Sequence, residues 1–160
     1  MRIGLISDTH GLLRPEVFGI LEGVERILHA GDIGDPDILI ELEAIAPTTA
    51  VSGNTDGSEL RQRVPERATL ELGGVHTVLT HGHLLGSPTP EALAAAHPEA
   101  GLIVYGHTHR PLVRQVGRTL VVNPGSAGPR RFSLPISLGI LTIEGGAMEV
   151  RLHEIEPDRR

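Results

Sequence analysis

Asp8-Thr9-His10, Gly31-Asp32, Gly53-Asn54, His81-Gly82-His83 and Gly106-His107-Thr108-His109 hold the residue types that bind divalent cations. Together they offer imidazole nitrogens, carboxylates and an amide oxygen. That set suits borderline metals such as Mn, Fe, Co, Ni or Zn. Asp8, His10, Asp32, Asn54, His81, His107 and His109 make seven strong ligands, too many for one ion. Two ions sharing Asp32, whose carboxylate has two oxygens, would use them all. Paired metals ~3.5–4 Å apart suit in-line attack on phosphorus by a bridging hydroxide, because metal binding lowers the pKa of water toward ~7. The ions would also neutralise charge growing on the phosphoryl oxygens.

Each motif has a plainer reading. Asp8 or Thr9 could cap a helix, but a cap needs no imidazole such as His10. Asp8 and His10 share a face if the backbone is extended, so both could meet one metal. Gly31-Asp32 and Gly53-Asn54-Thr55-Asp56 read as turns when taken alone. Asp56 either caps the next helix or orients a neighbour. Paired His-x-His turns are harder to explain without a metal, and four of the nine histidines lie in them. His29, His76, His97 and His153 lack that context and read as structural or surface residues. Asp35 and Asp37 read as the solvated start of a helix. Asn123 or Ser126 could steady a ligand histidine or touch a substrate oxygen. Arg130-Arg131 reads as surface charge.

Every candidate turn follows a short β-like apolar run, which points to one site at the carboxyl ends of strands. The first third reads as strand-helix repeats. Met1 to Ser7 is nearly all apolar, as in a strand covered on both faces. Pro15 opens a helix whose apolar positions are Val17, Ile20, Leu21 and Val24. Arg26 to Ala30 and Thr48 to Ser52 are the next strands. Between them Asp35-Pro36 starts a second helix bearing Ile38, Leu39, Leu42 and Ile45. Ala68 to Leu72, Gly73-Gly74 and Val75 to Thr80 form a hairpin. Pro90 to His97 is a short helix. Leu102 to Tyr105, Leu112 to Val116, Thr119 to Val122, Ser137 to Ile143 and Met148 to Ile155 are further strands. The tail Pro157 to Arg160 is expected to fray. The expected architecture is α/β, with two packed sheets and helices outside.

Composition narrows the function classes. The 160 residues favour a single domain over 1–160 with a real core. A net charge of −6 and 2% aromatics argue against nucleic-acid binding. A small phosphorylated substrate stays compatible, since bound cations invert the local field. No cysteine is present, which excludes disulfides, thiolate zinc sites and a cysteine nucleophile. All 14 basic residues are arginine. No stretch reaches the ~18 apolar residues of a membrane span. The chain opens on a strand without a charged and apolar leader, so a cytoplasmic location is expected.

The ordered set Asp8-x-His10, Gly31-Asp32, Gly53-Asn54, His81 and Gly106-His107-x-His109 resembles the calcineurin-like metallophosphoesterase superfamily. Ser7-Asp8-Thr9-His10 and Asn123-Pro124-Gly125-Ser126 look most like its small bacterial and archaeal phosphodiesterase branch, the YfcE-like group. The resemblance implies an αββα sandwich of two mixed β-sheets flanked by helices. It implies two divalent ions, manganese first among them. Asp8, His10, Asp32 and His109 would hold one, and Asp32, Asn54, His81 and His107 the other. Asp32 and Asn54 would then act in catalysis. Many members carry a histidine directly after the asparagine; here it is Thr55, a poor acid. His83 is the candidate substitute acid, or else an orienting residue. The reading is a metal-dependent phosphodiesterase favouring good leaving groups. A phosphomonoesterase or nucleotide polyphosphate hydrolase is the alternative. A protein-binding scaffold is the alternative class, with a retromer subunit of similar sequence as precedent. Self-association into a homo-oligomer is also expected of this branch.

Overall fold

A computed structural model describes residues 1–156, so the tail from Pro157 lies outside the described residues. The elements are β1 (Arg2–Ile6), α1 (Pro15–Ile20), β2 (Arg26–His29), α2 (Pro36–Glu43), β3 (Thr48–Ala50), α3 (Ser58–Arg63), β4 (Arg67–Leu72) and β5 (Val75–Thr80). After a 3₁₀ turn (His83–Leu85) come α4 (Pro90–Ala96), β6 (Leu102–Val104), β7 (Leu112–Val116), β8 (Thr119–Asn123), β9 (Ile136–Glu144) and β10 (Ala147–Ile155).

The strands form two mixed sheets, ordered β10-β9-β1-β2-β3 and β4-β5-β6-β8-β7. Alternate residues of each strand face opposite layers. Ile3 and Leu5 of β1 meet Leu79, Leu102, Val104 and Val122 between the sheets. Ile6 faces the other way, against Val17, Leu21 and Leu42 of the first two helices and their ends. Val78, Ile103 and Val121 pack against Leu93 of α4 on the far side of the second sheet. Both faces of β1, β6 and β8 are therefore covered, which is why they read as continuous apolar runs. The layers run helix, sheet, sheet, helix, as expected.

Local signals behave as their chemistry requires. Pro15 and Pro36 open α1 and α2. The Asp35 carboxylate caps α2 by accepting from the Asp37 amide at 2.9 Å. Two features escape the periodicity. The helix α3 has one buried residue, Leu60, and so carries no apolar stripe. The last two strands return to the first sheet, where β9 pairs antiparallel with β1. No described helix is long and apolar enough to cross a membrane.

Candidate metal centre

The seven candidate ligands sit in the loops that follow β1, β2, β3, β5 and β6. Their backbone is unusual. Among described non-glycine residues, six have positive φ, and five of them are Asp8 (53°), His10 (46°), Asp32 (53°), His107 (72°) and His109 (61°). Such strain concentrates at functional sites. The expectation that extended backbone aligns Asp8 with His10 is corrected here. Both residues are left-handed, and that curl turns their side chains to a common point. The sharp bends are held by cross-loop bonds. The Asp8 amide donates to Gly31 O at 3.0 Å, and the His10 amide to Asp32 O at 2.9 Å. The Ser126 hydroxyl donates to Asp8 O at 2.8 Å, tying the loop after β8 to the same point.

The side chains form two adjoining groups. In the first, Asp8 Oδ1 lies 3.3 Å from His109 Nε2 and 3.7 Å from His10 Nε2. His10 Nε2 and His109 Nε2 are 3.3 Å apart. In the second, Asp32 Oδ2 lies 3.2 Å from His81 Nε2. Asn54 Oδ1 is 3.1 Å from His81 Nε2 and 3.2 Å from His107 Nδ1. Asp32 Oδ2 is also 3.8 Å from His10 Nε2, so one oxygen faces both groups. The other oxygen, Oδ1, accepts from the Thr55 amide at 2.9 Å. Asp32 Oδ2 is therefore the oxygen turned toward both groups, while Oδ1 is engaged by a backbone amide.

Electrostatics and hydrogen bonds hold these groups ready. Burial alone would raise the Asp8 pKa, but His10, His109 and His81 outweigh it and hold the carboxyl well below the usual range. Burial opposes ionisation of Asp32 too, yet His81 and the Thr55 amide bring its pKa down to about 2. Burial would lower the His81 pKa, but Asp32 and Asp8 raise it above 6.5. His81 Nδ1 is 2.8 Å from Ala30 O, a pure acceptor, so that nitrogen carries hydrogen and Nε2 faces the carboxylates. The Ser7 hydroxyl donates to Asp8 Oδ2 at 2.6 Å.

The donor set fits cations. Asp8 Oδ1 is buried and has no hydrogen-bond partner among the described residues, although three histidine nitrogens surround it. A buried carboxylate oxygen without a partner is costly unless a cation meets it. At two glycines the backbone approaches these side chains so closely that only a hydrogen fits. A Cβ at Gly53 would strike the Asp32 carboxylate, and one at Gly31 would lie 2.7 Å from His81 Nδ1.

Residues 1–146 match the calcineurin-like phosphoesterase superfamily domain. The chain belongs to that superfamily. It is 36% identical over 159 residues to a probable metallophosphoesterase of Methanothermobacter thermautotrophicus, covering 95% of this chain and 91% of the relative. It is 34% identical over 167 residues to the phosphodiesterase YfcE of Escherichia coli, covering 88% and 87%. The structure of Vps29 from Chaetomium thermophilum superposes with a TM-score of 0.81, covering 97% of each chain at 19% identity, a likeness of fold. The protein is accordingly a phosphoesterase-family hydrolase with a metal-binding donor set.

Several further residues support this phosphoesterase site. Asp56 does not cap α3, whose N-cap is Gly57. Instead its buried carboxylate accepts from the amides of Ile33 at 3.2 Å, Gly34 at 2.9 Å and Gly53 at 2.8 Å. It clamps the Asp32 loop to the Asn54 loop, the orienting alternative. His29 is wholly buried and links Thr9 Oγ1 at 3.0 Å to the Gly31 amide at 3.1 Å. Asn123 Nδ2 donates to Gly106 O at 3.1 Å and Thr108 Oγ1 at 3.0 Å, steadying the turn that carries His107 and His109. Asp56 was legible as a capping or orienting residue, and Ser7 only through its place in the Ser7-Asp8-Thr9-His10 start. His83 lies beside the centre, its ring 5.5 Å from that of His81. Arg130 and Arg131 are exposed, as expected of surface charge.

Proposed function

We propose that this phosphoesterase is a dinuclear metal-dependent phosphodiesterase acting on a small phosphorylated substrate. One observation carries the reading: an unpartnered buried Asp8 oxygen beside an Asp32 oxygen that faces both donor groups. Asp8, His10 and His109 would hold one ion, Asn54, His81 and His107 the other, and Asp32 both. Manganese is the first choice among ions that accept mixed imidazole and oxygen ligands. When bound, such ions supply a nucleophile from water near neutral pH and offset charge developing on phosphoryl oxygens.

The chain's own residues do the rest. Asp56, Ser7 and Ser126 fix the carboxylate loops, so the ligands need not reorganise on binding. His83 has its pKa lowered by burial and by the His81 charge. That direction favours the neutral ring, which suits orienting substrate better than protonating a leaving group. Thr55 supplies no acid, so substrates with good leaving groups are favoured. The relative named a phosphodiesterase supports the diester reading over a monoesterase or polyphosphate hydrolase. The likeness to Vps29 is one of fold, and all seven donor positions retain competent ligands, which favours an enzyme over a scaffold.

The test is hydrolysis of bis(para-nitrophenyl) phosphate after chelator treatment. Activity should vanish and return with manganese. Turnover indifferent to the chelator would rule the reading out.

A further inference from the structure

A groove of about 430 Å³ is lined in part by Thr80 and Gly82, the residues on either side of the donor candidate His81. Its lining includes Glu66, Arg67, Gly82, Leu84, Leu93 and Ala96. Gly82 belongs at once to this wall and to the turn between His81 and His83. Its left-handed φ of 93° sets that turn, and a Cβ there would lie 3.2 Å from Pro88 Cγ. The 3₁₀ turn then presents Leu84 and Leu85 to solvent, 75% and 44% exposed. Large apolar side chains left open at the mouth of a cleft mark a place for a ligand. Leu93 forms the floor, 1% exposed, and Ala96 lies on the last turn of α4. Thr80 and Gly82 flank His81, so this wall of the groove continues directly into the donor turn.

The geometry points to a subsite for the second ester group of a phosphodiester, selecting an apolar, ring-bearing alcohol of aryl type. This inference rests on the phosphodiesterase reading above. The volume lies within the ~300–1,000 Å³ of small-molecule pockets, more than one aromatic ring needs. A monoester has no group to place there. Leucine and alanine walls reward burial of a ring.

Two substrates decide it: bis(para-nitrophenyl) phosphate and ethyl para-nitrophenyl phosphate. They share a leaving group and differ in the second ester. The ratio of their kcat/KM values is read for the manganese-loaded wild type, Ala96→Phe and Leu84→Asp. Filling the groove at Ala96, or making its rim polar at Leu84, should lower that ratio about tenfold. Comparing variant with wild type cancels the intrinsic reactivity difference of the esters. Circular dichroism melting establishes that each variant is folded. A ratio unchanged in both folded variants overturns the subsite. If neither ester is hydrolysed, the phosphodiesterase reading fails by itself. Methyl NMR then judges the groove separately, with the bis-aryl ester added to metal-loaded protein. Shifts at Leu84, Leu85 and Leu93 support the subsite, and silent methyls overturn it.

Discussion

Acid should loosen the metal centre through His29. The ring is wholly buried between the two carboxylate loops. The Gly31 amide can only donate, so His29 Nδ1 accepts and the proton sits on Nε2, facing Thr9 Oγ1. The Thr9 hydroxyl donates onward to Ile33 O at 2.8 Å. A second ring proton would point at the Gly31 N–H and break this chain. Burial pushes the His29 pKa down to about 4, against the pull of Asp8 and Asp56. The unfolded chain takes up that proton near 6.5, and the folded chain only near 4. Between those values the unfolded state binds more protons, so stability falls as pH falls. A drop from 6.5 to about 4 corresponds to roughly 3 kcal/mol lost across the window. Asp8 and Asp32 lose their contributions only below ~3.9, where unfolded carboxylates protonate. His81, with its raised pKa, stabilises in the opposite sense, most at low pH. A variant comparison cancels all three. His29→Asn keeps an acceptor near Nδ1 and loses the Thr9 bond, worth about 1 kcal/mol at any pH. Urea unfolding of chelator-treated protein, followed from pH 6.5 to about 4, should show the wild type losing its advantage and falling below the variant. A wild-type-to-variant gap constant with pH would refute the account.

Other outcomes follow from the same geometry. Asp32→Asn keeps the acceptor for the Thr55 amide but removes the charge facing both donor groups; metal content and activity should fall together, metal affinity by more than about 100-fold, as read by calorimetry. Gly53→Ala forces a Cβ into the Asp32 carboxylate and should cost about 1–3 kcal/mol of stability, seen as a lower Tm. Metal affinity should climb with pH above 6.5, because a bound ion displaces the proton that Asp32 and Asp8 hold on His81; a titration flat across that range contradicts it. Thr55→His sets an imidazole beside Asp32 and should raise phosphomonoester turnover relative to diester, with an unaltered substrate profile counting against the role given to that position.

What the amino-acid order determined was the identity and rank of the site. Turn-borne Asp, Asn and His after apolar runs singled out the seven candidate donors that the fold brings together, since residue type fixes which atoms can bind a cation. The doubly covered strands and the capped helix α2 were equally legible, because burial on two faces and a cap each demand particular residues. Tertiary structure alone decided the rest. The left-handed bends at Asp8 and His10 exist because amides of one loop bond carbonyls of another, and no local pattern reports that. Asp56 became a clamp because Ile33 and Gly34, more than twenty residues earlier, lie opposite it. The short helix α3, with only Leu60 buried, had too few apolar residues to register. Which strands would neighbour β1 was likewise undetermined, since pairing is a long-range choice made by packing once the chain has collapsed.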